Sequence, residues 1–284
     1  MIQELLDLGF SHVELSVRVT AEMIAEISDM VNQRSVIITG LHNYCPVPPG
    51  VDPSGDLWTI LQLSSADRSE RAAAVRATKN TIDWAARLHA PVVVMHLGIV
   101  PINVDGERVF RLVRAGRPDD AKEILRGHLM ERLDARGPYL NNLIESLGEL
   151  APYAEKAGVK LGCENRYFYT EIPSIDEFMM IFKRVKSPAL CYWHDTGHAH
   201  VSELLTISAQ EDYLRKYADR LIGMHIHDAA GFDDHQAIGK GEIDFGRVLI
   251  HARPDTQLVL EIHGRASAEE LVASREAISR LRQR

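Results

Sequence analysis

Short apolar runs alternate with longer amphipathic segments along the chain, and this alternation restricts the fold more than any other feature. Seven runs are rich in β-branched residues and nearly continuous in hydrophobicity, which is typical of strands covered on both faces. The segments between them place apolar residues at helical spacing. The predicted strands are residues 11–16, 35–42, 91–98, 159–165, 190–195, 221–228 and 257–264. The pattern predicts βα units around a parallel sheet.

Polar residues recur at the ends of these strands. Nearly every predicted strand ends in a side chain that can bind a metal or move a proton, namely Glu14, His42, His96, Glu164, Asp195, His225 and Glu261. A (β/α)8 barrel assembles its active site from the C-terminal ends of many strands. A Rossmann-like sheet would concentrate its signal in one turn, and no G-x-G-x-x-G follows the early strands. We therefore predict an α/β TIM barrel with its active site at the C-terminal strand ends.

The predicted barrel departs from the usual pattern at two places. The chain opens directly on the helical segment IQELLDLGF, so the barrel lacks its first strand. An incomplete N-terminus, an open barrel and a gap filled by another segment remain alternatives, and exposed sheet edges would need protection. The second departure is a charged insertion at about 99–137, ahead of a helix predicted to begin at Pro138. This insertion could be a substrate lid, an oligomer contact or a solvated excursion.

Composition restricts the number of domains, the partners and the cellular location expected of the protein. At 284 residues with 45% hydrophobic content, the chain can bury one core, so we predict a single domain over 1–284. Acidic residues outnumber basic ones by 40 to 32, and a net charge of −8 disfavours nucleic acid or an anionic membrane as a partner. Three widely spaced cysteines, no signal segment and no long apolar run indicate a cytoplasmic protein.

Four strand ends offer a coherent set of ligands for a divalent metal ion. Glu164 and Glu261 each close a buried strand, where a carboxylate is costly unless it is paired or metal-bound. Asp195 opens the stretch DTGH, where a sharp bend at the glycine or a plain turn and cap is expected. His225 and His227 share one face of their strand, and His227 could equally orient a neighbour. An O,O,N,O set accepts Mn, Mg, Co or Zn.

The ordered motifs ENR, DTGH, MHIHD, HQAIGKGEIDF and LEIHG resemble those of the xylose-isomerase-like TIM-barrel superfamily of sugar isomerases and epimerases, which includes the apurinic endonuclease branch. The resemblance covers essentially the whole chain, apart from the first strand and the insertion. It implies one divalent metal ion held by Glu164, Asp195, His225 and Glu261. His227 stands where the family commonly has Lys, and Lys240 replaces the Glu of the usual Gly-Glu-Gly.

The resemblance implies a sugar isomerase or epimerase that moves a proton next to a ketose carbonyl through an enediolate. The metal would act as a Lewis acid, and Glu164 and Glu261 would exchange the proton as an acid/base pair. His198 would hydrogen-bond the polarised oxygen. Arg166 could grip the substrate or neutralise a neighbouring acid. The absence of a phosphate-cradling Gly-rich loop favours an unphosphorylated sugar, and a homo-oligomer is compatible with an enzyme of this size.

A rival interpretation of the same motifs is a zinc-dependent apurinic-type endonuclease, which would hold up to three Zn²⁺ and cleave phosphodiesters. Its ligand types all have candidates: His42, His96, Glu164, Asp195, His198, His225, Asp233, His235 and Glu261. The loops at 43–58 and 229–238 contain no Lys or Arg, contrary to a DNA-binding face, so we favour the sugar enzyme. A barrel that has lost catalysis is a third alternative. Tyr44 and Trp58 could wall a sugar pocket or pack their loop down.

Overall fold

Strands and helices alternate in the computed structural model, which describes residues 2–55, 61–263 and 266–283. The α-helices are α1 (Ile2–Asp7), α2 (Ala21–Asn32), α3 (Arg68–Arg87), α4 (Gly106–Arg114), α5 (Pro118–Ala157), α6 (Ile175–Arg184), α7 (Thr196–Leu204), α8 (Gln210–Lys216), α9 (Phe245–Leu249) and α10 (Ala268–Arg282). The strands are β1 (His12–Leu15), β2 (Ile37–His42), β3 (Val92–Met95), β4 (Gly98–Ile99), β5 (Lys160–Glu164), β6 (Glu171–Ile172), β7 (Leu190–Asp195), β8 (Leu221–Ile226), β9 (Asp228–Ala230), β10 (Asp233–Gln236) and β11 (Gln257–Leu260). Each predicted strand overlaps a strand of the sheet, namely β1, β2, β3, β5, β7, β8 or β11, and most of the predictions extend past its ends. None of the described helices is long and apolar enough to cross a membrane.

Two compact units make up the chain. The first comprises residues up to Gly98 with 142–164 and 178–193, and the second comprises 99–141, 165–177 and the residues from His194 onward. In the first unit, β1, β2, β3, β5 and β7 pair in parallel in that order. In the second unit, the end of β7 is followed in the sheet by β8 and β11, and these two strands pair in parallel. The prediction of a single domain over 1–284 stays a prediction.

The central strands β3 and β5 of the first unit are buried on both faces, which explains their continuous apolar sequences. All four residues of β3 are buried, and so are the last four residues of β5. Gly162 in β5 allows a close approach, because a Cβ atom there would lie 3.2 Å from Cε3 of Trp193. The strand therefore packs tightly up to its last residue, Glu164, and fixes the backbone of that carboxylate.

Helix α5 is longer than the sequence predicted. We expected a helix to begin at Pro138, whereas α5 is continuous over 40 residues from Pro118 to Ala157. A proline inside a helix removes one backbone hydrogen bond and usually kinks or breaks the helix. Apolar side chains are buried on both sides of this position, including Leu125 and Leu143. Tertiary packing of the flanking turns therefore offsets the local cost of the proline.

The insertion at 99–137 folds as α4 and the first part of α5, and it is anchored by a hydrophobic core within the second unit. Buried apolar side chains join these helices to α7 and to the turn after β9: Val109, Phe110, Ala121, Leu125, Val201, Leu205 and Phe232. The rings of Phe110 and Phe232 stack with their centroids 4.5 Å apart. This packing is contrary to a fully solvated excursion, and the lid and oligomer roles stay predictions.

A buried ion pair also ties the insertion to the second unit. Arg132 in α5 donates two hydrogen bonds to the carboxylate of Glu177, at 2.9 and 2.7 Å, and both side chains are buried. Arg132 donates a third to the carbonyl oxygen of Glu171, at 2.6 Å. Burial raises the pKa of Glu177, but hydrogen bonding and charge from Arg132 lower it by more, so the pKa lies below its usual value.

We predict that Glu177→Gln lowers the free energy of unfolding by about 3–5 kcal/mol at neutral pH, because it leaves the Arg132 guanidinium buried without its counter-charge. The folded pKa of Glu177 is depressed, so its contribution is present above the unfolded pKa of about 4.3. It is lost as the pH falls through the lower folded pKa. Urea denaturation of both proteins at neutral and acid pH measures the difference.

The matched control is Glu149→Gln, which removes the same charge from the more exposed pair of Glu149 with Lys79. This substitution should change the free energy of unfolding by less than about 1 kcal/mol. Equal losses in the two variants would contradict the assigned role of the buried pair.

Candidate metal centre

Three of the predicted site residues meet in the first unit. His42 ends β2, His96 directly follows β3, and Glu164 ends β5. Oε2 of Glu164 lies 2.9 Å from Nε2 of His96 and 3.8 Å from Nε2 of His42, and the two rings meet edge to face at 4.7 Å. One donor atom from each residue lies within 4.8 Å of the others. Two imidazoles and a carboxylate are a donor set that Zn²⁺ accepts.

Three of the four predicted metal ligands meet in the second unit. Asp195 ends β7, His225 lies in β8, and Glu261 follows β11. Nδ1 of His225 lies 2.9 Å from Oε2 of Glu261 and 3.8 Å from Oδ2 of Asp195. Asp195 and His225 are fully buried, whereas the side chain of Glu261 is 23% exposed. The group therefore combines two fully buried candidate ligands, Asp195 and His225, with the carboxylate of Glu261, which solvent or a substrate can reach.

Asp195 is held in place through both its main chain and its side chain. Its backbone exchanges two hydrogen bonds with the side-chain amide of Asn165, at 2.8 and 3.0 Å. Its Oδ1 accepts the backbone N–H of His198 at 2.7 Å, so Asp195 is the N-cap of α7. The cap that the DTGH stretch suggested is present, and it orients the carboxylate that the same stretch offers to a metal.

His227 hydrogen-bonds Asp195 through one ring nitrogen and the backbone through the other. Its Nε2 lies 3.0 and 3.1 Å from the two carboxylate oxygens of Asp195, and its Nδ1 accepts the backbone N–H of His235 at 2.8 Å. An Nδ1 that accepts a hydrogen bond carries no proton, so the proton lies on Nε2 and is donated to Asp195. Because both ring nitrogens are engaged, His227 orients Asp195, a candidate metal ligand. Carboxylates that bind metals are usually held by a hydrogen-bond donor of this kind.

The charge of the His227 ring is subject to opposing effects. Burial lowers the pKa of His227, whereas nearby carboxylates, above all Asp195, raise it. A second proton would have to sit on Nδ1, where the N–H of His235 already points. We assign the neutral ring, because this hydrogen bond exists only while Nδ1 is unprotonated.

A third group of donors consists of His198, Asp234 and His235. Nδ1 of His235 lies 2.9 Å from Oδ1 of Asp234, and Nε2 of His198 lies 3.9 Å from Oδ2. Nδ1 of His198 lies 3.0 Å from the carbonyl oxygen of Asn165, so Nδ1 carries the proton and Nε2 presents a lone pair. Burial raises the pKa of Asp234, but His235 lowers it by more, so the carboxylate is favoured.

Asp234 was missed by the sequence analysis, which named its neighbour Asp233. The side chain of Asp233 is exposed in the hairpin of β9 and β10, and it belongs to none of the three groups. Successive residues of a strand point to opposite faces, so the hairpin register decides which of two adjacent acids points inward. His235 has a positive φ of 54°, which breaks the regular alternation at this point. Two consecutive aspartates in a sequence carry no signal of this register.

Three further side chains were open or unassigned at the sequence level. The guanidinium of Arg166 binds Oε1 of Glu171 at 2.8 and 3.0 Å, so it neutralises a neighbouring acid. The hydroxyl of Tyr44 donates to the carbonyl of Leu61 at 2.8 Å, which packs the loop down. His263, which the sequence left unassigned, stacks on the ring of His235 with the centroids 3.7 Å apart. Trp58 lies outside the described residues.

Gly197 provides the space that His227 occupies. The sequence suggested that this glycine permits a sharp bend, but Gly197 lies in the first turn of α7. A Cβ atom at this position would lie 2.1 Å from Cε1 of His227 and 2.7 Å from its Nδ1. The absence of a side chain is therefore what allows the imidazole to reach Asp195.

We predict that Gly197→Ala weakens divalent-metal binding about 10–100-fold, because the added methyl group displaces His227 from Asp195. It should also cost about 1–3 kcal/mol of stability through overpacking. Calorimetric titration with Mn²⁺ or Zn²⁺ and urea denaturation measure the two effects. The control is Gly127→Ala in α5, where a Cβ atom meets nothing within 4 Å, so metal affinity should be unchanged. Wild-type affinity in Gly197→Ala would refute the assigned role of His227.

Comparison with known proteins identifies the fold. The family described as "Xylose isomerase-like TIM barrel" matches residues 2–284. A protein of Methanocaldococcus jannaschii, named only as uncharacterized, is 28% identical over 198 residues, which are 68% of this chain and 56% of that protein. This chain therefore spans little more than half the length of that relative.

Two solved structures cover nearly the whole chain. A D-tagatose 3-epimerase-like protein has a TM-score of 0.72 at 21% identity, over 99% of this chain and 92% of that one. An L-ribulose 3-epimerase has a TM-score of 0.70 at 16% identity, over 99% and 87% of the two chains. At these identities the likeness shows the fold alone, and it confirms the predicted α/β TIM barrel.

Proposed function

The chain belongs to the xylose isomerase-like TIM-barrel family, and on this premise we propose that it is a divalent-metal-dependent sugar isomerase or epimerase. The observation that carries the proposal is the group formed by the buried Asp195 and His225 and the partly exposed Glu261 in the second unit, with one donor atom from each within 4.8 Å of the others. Proteins of the same fold are named as sugar 3-epimerases, which supports a ketose or a related sugar as the substrate. We also propose that the enzyme is cytoplasmic and has neither a nucleic acid nor a membrane as a partner.

The chemistry of the donor set fits a divalent ion. Burying carboxylates and an imidazole together is costly unless a cation or hydrogen bonds compensate them. Two carboxylates and one imidazole suit Mn, Mg, Co or Zn, and the sequence resemblance adds Glu164 as the fourth ligand. Bound there, such an ion would supply Lewis-acid polarisation of the sugar carbonyl.

The residues of the chain would move the proton. One carboxylate takes a proton from the carbon next to the carbonyl, and a second carboxylate returns one. Return to the opposite face of the same carbon is epimerisation, and return to the neighbouring carbon is isomerisation. The sequence resemblance assigns these roles to Glu164 and Glu261. The partial exposure of Glu261 supports its role, because a proton-transfer group must reach the substrate.

We propose for His198 a role that differs from the one the resemblance implies. Because its Nδ1–H is directed at the carbonyl of Asn165, the neutral ring has only an acceptor, Nε2, to offer. We therefore propose that His198 accepts a hydrogen bond from a substrate hydroxyl, instead of donating one to the polarised oxygen. This would fix the rotation of the sugar about its C–O bonds and align the reacting carbon.

We predict that Glu261→Gln lowers kcat/KM for the sugar about 10²–10⁴-fold, because the amide keeps the shape of the side chain but cannot exchange a proton. The measurement is incorporation of solvent deuterium into a panel of ketopentoses and ketohexoses, followed by NMR. The surface variant Glu149→Gln should exchange at the wild-type rate. Undiminished deuterium incorporation by Glu261→Gln would exclude it as the acid/base residue.

The three donor groups favour a second candidate function. Besides the group at Asp195, the groups at Glu164 and at Asp234 each offer a carboxylate and two imidazoles. An enzyme with two or three zinc ions can stabilise both the attacking and the leaving oxygen of a phosphodiester. The net charge of −8, and the lack of Lys and Arg in residues 229–238, oppose a DNA-binding face. We therefore rank the endonuclease below the sugar enzyme.

Metal content distinguishes the two candidates. We expect about one ion per chain by elemental analysis of protein purified without chelators or a His-tag, and loss of this ion in Asp195→Asn. In the sugar enzyme Asp234→Asn should retain the ion, whereas in a three-zinc endonuclease it should lose one ion of about three. Three zinc ions with cleavage of abasic DNA would establish the endonuclease. No ion under any loading condition would refute both functions.

A further inference from the structure

The outer face of the first half of α5 carries apolar side chains that the rest of the described chain leaves uncovered. Ala121, Leu125 and Arg132 lie on the inner side of this helix and are buried. Met130 and Leu133 lie on the opposite side, where they are 58% and 52% exposed. A surface helix normally has polar residues on its outer face. Two large apolar side chains one turn apart therefore mark a contact surface.

A ridge of residues spaced four apart runs along this outer face and carries a charge at each end. Arg126, Met130 and Asp134 follow one another at i, i+4 and i+8 in α5, so their side chains form a single row. All three residues are exposed. Neither Arg126 nor Asp134 forms an ion pair with another described residue. The ridge is therefore positive, apolar and negative in that order, and both charges are open to a partner.

This order makes the ridge complementary to a second copy of itself. In the commonest class of helix packing, ridges of residues four apart lie alongside each other. A two-fold axis beside Met130 makes the ridges of the two copies run in opposite directions. Arg126 of one copy then lies against Asp134 of the other, and the same pair forms again across the axis. Met130 and Leu133 of both copies meet near the axis, where each covers apolar surface of the other copy.

Gly127, next to this ridge, leaves room for a second helix. Glycine lowers the stability of a helix interior relative to alanine, so an exposed glycine there has a cost. Packing within the described chain does not require it, because a Cβ atom at this position meets nothing within 4 Å. A helix of a second copy can occupy this space and approach closely.

We propose that the chain forms a two-fold symmetric dimer through this face of α5, with Arg126, Gly127, Met130, Leu133 and Asp134 in contact. All five residues belong to the insertion and to the second unit. None of them belongs to a metal-donor group, so the dimer is independent of the proposed sugar chemistry. One pair of helices buries less surface than a standard interface, so we expect association in the micromolar range.

Analytical ultracentrifugation of the full chain between about 1 and 100 µM tests the proposal. We expect an equilibrium between monomer and dimer that depends on protein concentration. Arg126→Asp and Asp134→Arg should each raise the dimer Kd about 10–100-fold, because each turns two attractive contacts into two repulsive ones. The double variant, which exchanges the two charges, should dimerise with the wild-type Kd.

A mixture of the two single variants gives a second and independent measurement. An equimolar mixture should form a heterodimer, because each copy supplies the charges that the other lacks. The matched control is Arg76→Asp, which makes the same change of charge at an exposed position of α3. This variant should retain the wild-type Kd.

Four results would overturn the proposal. The first is a wild-type chain that stays monomeric at about 100 µM. The second is a dimer whose Kd neither single variant raises, which would place the contact on another face. The third is a double variant that does not recover the wild-type Kd, and the fourth is equal weakening by Arg76→Asp. The substituted residues are exposed, so folding of the variants is expected to be intact and can be verified by thermal unfolding.

Discussion

The buried carboxylate of Asp195 is the constraint on which the second unit depends. A charge without access to water is tolerated only where hydrogen bonds or opposite charges replace hydration. Here the backbone N–H of His198 and the ring of His227 supply hydrogen bonds, and the N–H of His235 in turn holds that ring. The arrangement runs from the β9–β10 hairpin to the first turn of α7, and a divalent cation would complete it.

The insertion supports the same hairpin from outside. Phe232, at the tip of the hairpin, stacks on Phe110 of α4, and its carbonyl accepts the hydroxyl of Tyr167 at 2.7 Å. The hairpin carries Asp234 and His235, whose positions set one donor group and the orientation of His227. A segment that interrupts the βα pattern therefore stabilises the residues that orient Asp195. Its contribution to the candidate site is made through packing and does not require it to touch a substrate.

The first turn of α7 joins His227, which follows β8, to helix α8. The hydroxyl of Thr196 donates to the carbonyl of His227 and accepts its N–H, at 2.8 and 3.1 Å, while the carbonyl of Thr196 accepts Nε2 of Gln210. One residue thus binds both the main chain of His227 and the side chain of Gln210. Such contacts hold His227 against a helix, and positions fixed on rigid elements are what keep functional groups within narrow limits of position.

The sequence by itself determined the seven strands, the α/β barrel and the kinds of ligand at the strand ends, because period and composition are local properties that survive without tertiary information. It also named most of the residues of the three donor groups, because these residues lie at or near strand ends. Only the tertiary structure decided that Asp234 replaces Asp233, that His227 orients Asp195, and that Arg166 is neutralised by Glu171. These depend on hairpin register and on partners distant in the chain, and no local pattern encodes either of them.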